Sequence, residues 1–142
     1  MSKSVINKVK GSFHNLGIKL TKTGPFYEFE YEFIPTLLSI EAENYSISFV
    51  TPVIDSSDDG LNEHVLNTAL DIVEDSHKGC CGDWNDGSPF FVSPRYSIKE
   101  PSTLSADWLQ EQLKEFYDAY IFLEMNIHLL CDNTIWGLDS DR

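Results

Sequence analysis

The segment Tyr27 to Phe33, YEFEYEF, alternates aromatic and acidic residues without a break. Successive side chains of a strand point to opposite faces, so this period of two predicts Tyr27, Phe29, Tyr31 and Phe33 on a packed face and Glu28, Glu30 and Glu32 on a wet one. Whatever else the chain forms must supply a cover for those rings. The segment LLSIEAE continues the scheme, with Leu38, Ile40 and Ala42 inward and Ser39, Glu41 and Glu43 outward. After a turn near Asn44, SISFVTPVI reads as a third strand, and the short connections predict an antiparallel meander.

Helical periods flank this meander. Val5, Val9, Phe13 and Leu16 recur by four, four and three, and Gly17 suits a C-terminal cap. Beyond the loop DSSDDG, whose Asp58 or Asp59 is the expected N-cap, Leu61, Val65, Ala69, Ile72 and Val73 form the stripe of a second helix, expected to lie across the aromatic face. NDGS between CCGDW and FFVSPRYSI marks a hairpin, because Asp-Gly tolerates the positive φ of a tight turn. A long third helix is expected from about Leu104 to Leu130, with Leu109, Leu113, Phe116, Tyr120, Leu123, Ile127 and Leu130 on one stripe and Tyr117, Ile121, Met125 and His128 beside it. That apolar arc is wider than a sheet requires, so Tyr117, Ile121 and Met125 are the expected contact of a homodimer. The predicted fold is a single α+β domain over residues 1–142: helix, three-stranded meander, helix, β-hairpin, long C-terminal helix.

This order of elements resembles the type III secretion chaperone-like fold, and in particular the YbjN-like family. The likeness rests on LGI closing the first helix, the meander, the second helix, the hairpin and the closing LSADWLQEQLKEFYDAY helix. The resemblance implies a non-enzymatic domain, often a homodimer, that binds a protein segment or modulates a regulatory pathway.

Charge narrows the partners. Residues 1–27 hold five lysines and no acid, whereas the chain as a whole carries a net charge of -13. Such a surface repels nucleic-acid phosphates and anionic lipid, and steers a basic protein towards it. No apolar run approaches the roughly 18 residues of a membrane span, no secretory leader is visible, and three cysteines do not make a disulfide framework. A cytoplasmic protein is expected.

Three sets of residues invite chemistry. His77, Cys80, Cys81, His128 and Cys131 include the ligand types of a zinc site or a thiol enzyme centred on Cys80 and His77, but adjacent cysteines point to opposite faces of a strand. Asp55, Ser57, Asp59 and Gly60 fit an EF-hand-like frame that fails at its twelfth position, which is Leu66. Glu28, Glu30, Glu32, Glu41 and Glu43 share one predicted sheet face, spread apart as a docking surface would be and not converged as a catalytic pair would be. His14 and His64 stand in no nucleophile or metal motif. The expectation is therefore no enzyme, no metal and no cofactor, and a protein partner for the acidic face. The reading is a chaperone-like or regulatory binding domain, with an acidic immunity-type protein that neutralises a basic toxin as the alternative.

Overall fold

A computed structural model describes residues 2–53, 61–85, 88–98 and 104–140, with side chains described for 4–53, 61–84, 88–98 and 104–131. The EF-hand-like loop and the proposed Asp58 or Asp59 cap lie outside these residues, as does the Asp86-Gly87 turn.

Helix α1 (Ser2–Asn15) buries Val5, Val9 and Phe13 as its spacing requires. It ends where Ile18 N–H donates to Phe13 C=O (3.0 Å) and Gly17 N–H to His14 C=O (2.9 Å), with Gly17 at φ 75°. This paired bonding satisfies the last carbonyls, and its left-handed residue favours glycine. Helix α2 (Glu63–Ser76) starts from Asn62, whose side chain accepts from Val65 N–H at 2.9 Å. That asparagine is the cap. Helix α3 (Ala106–Ser140) begins where Ser105 Oγ accepts from Trp108 N–H and Ser105 C=O from Leu109 N–H. It runs ten residues past the expected Leu130 end.

The strands are β1 (Thr21–Thr23), β2 (Phe26–Tyr31), β3 (Ile34–Glu41), β4 (Ser46–Pro52), β5 (Cys81–Asn85), β6 (Ser88–Val92) and β7 (Tyr96–Ser97). Meander and hairpin merge into one sheet of order β1-β2-β3-β4-β6-β5, with β7 also on β4. Ser93 manages the break between β6 and β7: its Oγ accepts from Phe49 N–H (2.8 Å) while its own N–H donates to Phe49 C=O (2.9 Å). Buried Ser93 thus satisfies both backbone groups of Phe49 where the partner strand changes.

The core joins all three helices to one side of this sheet. Rings run through it in contact, Phe13 on Phe29 (5.0 Å between centroids), Phe29 on Phe49 (6.1 Å), and Phe116 on both Phe49 (5.5 Å) and Phe91 (5.4 Å). The expected cover is corrected here: α3, not α2, lies across the aromatic face, while α2 packs on α3 and β5. Tyr117 shows why. It stacks on Tyr31 at 4.6 Å and its hydroxyl bonds to Thr36 Oγ1.

Phe33 also departs from the alternation. Tyr31 pairs with Ile34, so the chain reverses through Glu32 and Phe33, at φ 51° and 66°. Phe33 leaves the strand and is 93% exposed. Phe29 stays in the core, with Tyr27 and Tyr31 half-buried against it.

Candidate functional site: the open face of the sheet

Residues directly opposite one another in antiparallel strands share a face. Thr21 pairs with Glu28, Glu28 with Leu37, Leu37 with Val50, Val50 with Val92, and Val92 with Cys81. One straight row therefore crosses six strands on the side away from the helices. The neighbouring row holds Glu30 with Pro35, and Pro52 with Phe90 and Asp83.

The centre of this face is apolar. Leu37, Val50, Phe90 and Val92 are half-buried, with Pro35 and Pro52 exposed beside them. Pro35, Leu37, Val50, Pro52 and Phe90 line a shallow groove of about 390 Å³. Prolines keep the backbone from offering N–H groups there, so recognition on this floor rests on side-chain shape. Carboxylates stand at its borders, Glu28 and Glu30 on the β2 side and Asp83 on the β5 side, all exposed.

The five expected glutamates are thereby sorted. Glu28 and Glu30 flank the groove; Glu32 sits in the hairpin turn. Glu41 ends β3 but is engaged by Arg95 at 3.0 Å and by Asn44 at 3.0 Å, so its charge is already matched. Glu43 leaves the sheet altogether, in the 3-10 turn Ala42–Asn44. Reasoning from alternation passed over the apolar floor because FVTP and PFFV are apolar on both faces. The usable signal was the pair of prolines beside them.

The expected dimer contact is also divided. Ile121 and Met125 are 52% and 56% exposed and are joined by Leu129 at 58%, while Tyr117 at 3% belongs to the core. Its ring turns into the sheet because the stack on Tyr31 and the Thr36 bond hold it there.

At the thiol corner Cys80 and Cys81 line a shallow concavity with Asp71 and Glu74 of α2. Cys80 is buried and Cys81 exposed. His77 packs on the Phe122 ring at 5.8 Å, with its Nδ1 near Ser76 Oγ. Among the described residues, no three of His, Cys, Asp or Glu converge as metal ligands would. Burial, reinforced by Glu74, pushes the Cys80 thiol up to about 12 and raises Cys81 as well, the reverse of what an activated nucleophile needs.

No family model matches the chain, and no curated protein does. Among solved structures it is similar to YbjN from E. coli, a protein described as a candidate transcription regulator, with a TM-score of 0.57 at 12% identity. The match covers 87% of this chain and 93% of that one. No described helix is long and apolar enough to cross a membrane. The fold of this chain is α+β and YbjN-like.

Proposed function

We propose that this chain is a non-enzymatic, cytosolic chaperone-like or regulatory domain that works by docking another protein on its open sheet face. One observation carries the reading: among the described residues, three helices cover a single side of the sheet, and the other side keeps an apolar centre between Glu28 and Glu30 on one border and Asp83 on the other. Contiguous apolar surface with a polar rim is the anatomy of a protein interface. The carboxylates select a partner segment whose apolar side chains are flanked by lysine or arginine. A regulatory role for the YbjN-like neighbour is compatible with this reading.

The same rim favours a second reading, an immunity-type protein that blocks a basic toxin by charge complementarity. One experiment addresses both. The chain and its Val50→Lys variant are used for affinity capture from the native cell, with mass spectrometry of what is retained. A basic partner held by the parent and by an Ile121→Lys variant, yet lost from Val50→Lys, supports the open face; its identity separates regulation from toxin neutralisation. Equal recovery with Val50→Lys overturns the docking site.

A further inference from the structure

The β2–β3 hairpin ends in a side chain that folding alone does not explain. A two-residue turn with positive φ at both positions suits Asn-Gly, and Glu32 and Phe33 adopt it against steric opposition. At 93% exposure, Phe33 gains no burial in return. Backbone strain and a fully displayed aromatic ring on one residue point towards binding.

The same corner of the molecule holds a receptor of opposite chemistry. A groove of about 620 Å³ opens where α1 gives way to β1, with Gly11, Ile18 and Leu20 along it and Lys10, His14 and Lys19 at its rim. Among the described residues no carboxylate forms an ion pair with these lysines. Lys10 stands instead 5.7 Å from the Tyr27 ring, which Lys22 also approaches, at 4.9 Å. Because Thr21 pairs with Glu28, the residues before Thr21 run back alongside Glu30 towards the hairpin tip. Gly17, Ile18 and Lys19 share a concavity with Glu28 and Glu30. Knob and groove are neighbours, and the exposure of Phe33 leaves its own groove vacant.

We propose that a second copy of this chain docks at this corner, the Phe33 ring of each protomer entering the Ile18–Leu20 groove of the other. Glu30 and Glu32 then face Lys10 and Lys19 across the contact. Charge decides the occupant. A chain of net charge -13 repels its own copy over most of its surface, and the lysine-rimmed groove is a place that attracts it. Adjacent knob and groove permit reciprocal exchange, a two-fold contact that closes on itself. The Ile121, Met125 and Leu129 strip offers apolar area without that attraction. The contact shares Glu30 with the border of the open face but none of the Leu37–Val50 floor, so Phe33→Asn and Lys19→Glu test it without touching the docking role above.

Sedimentation velocity of the full chain at low salt, from micromolar to near-millimolar concentration, tests this. The expected result is a monomer that becomes a dimer with rising concentration. Phe33→Asn, which suits the turn and removes the ring, is expected to raise the midpoint by roughly tenfold or more without lowering the melting temperature. Lys19→Glu is expected to weaken the dimer, and Glu32→Lys added to Lys19→Glu to restore it. Monomer mass throughout overturns the proposal. So does a dimer whose midpoint is unmoved by Phe33→Asn; if Ile121→Lys with Met125→Lys abolishes that dimer, the contact is the α3 strip. Loss through Phe33→Asn with no effect of Lys19→Glu and no restoration overturns the groove as receptor.

Discussion

Phe29 and Glu30 are adjacent residues with opposite fates. Phe29 touches Phe13 and Phe49, so Phe29→Ala is expected to cost about 3 to 5 kcal/mol, the usual penalty for emptying an aromatic site. Glu30→Gln should change stability by no more than about 0.5 kcal/mol, as at other exposed positions. Urea melts of the two variants check the phase of β2, and equal costs would mean the faces are reversed. Cys80 supplies a pH test. Its thiol is raised to about 12 in the folded chain by burial first and by Glu74 second, against about 8.5 when unfolded. The native state therefore holds the proton longer, and its contribution is complete below pH of about 8.5 and is lost as pH rises towards the folded value. Melts between about pH 8 and 10 should show stability falling, with a shallower fall in Cys80→Ala. An identical slope in both would remove Cys80 as a source.

At the scale of elements, Gly82 shows how closely α2 approaches β5. A β-carbon there would lie 2.5 Å from the Phe90 carbonyl oxygen and 3.2 Å from both Leu70 methyl carbons. Gly82→Ala is expected to destabilise the fold by about 1 to 3 kcal/mol through overpacking, read as a lower denaturation midpoint. A neutral result would mean that β5 can shift. The helices were legible because buried residues recur at helical spacing, as in Leu109, Leu113, Phe116, Tyr120 and Leu123. Alternation likewise revealed Phe29 inward and Glu28 and Glu30 outward. It failed at Phe33, where pairing of Tyr31 with Ile34 reverses the chain and no glycine or asparagine announces the turn. Strand β1 is three polar residues, too short and too exposed to carry a period. The site was half legible: its carboxylates stood out, whereas its floor lies on strands apolar on both sides.

For the whole molecule, self-repulsion is the dominant long-range term at net charge -13. Raising salt from roughly 10 mM to 200 mM shortens the screening length from about 30 Å to under 10 Å. The melting temperature of the monomer is expected to rise over that range, by differential scanning calorimetry; a fall would mean that attractive pairs outweigh the repulsion. The one-sided placement of the helices bears on biosynthesis as well. Every described strand precedes α3 in the chain, so the sheet leaves the ribosome while Phe49 and Phe91 still lack Phe116. At a translation rate of about 5 to 20 residues per second, the nascent sheet waits seconds for its last layer. A message truncated before Leu104 is expected to yield aggregate, or chain held by cellular holdases, in pulse-labelled lysates. A soluble, protease-resistant fragment in that experiment would mean that the strands and the first two helices shelter those rings by themselves.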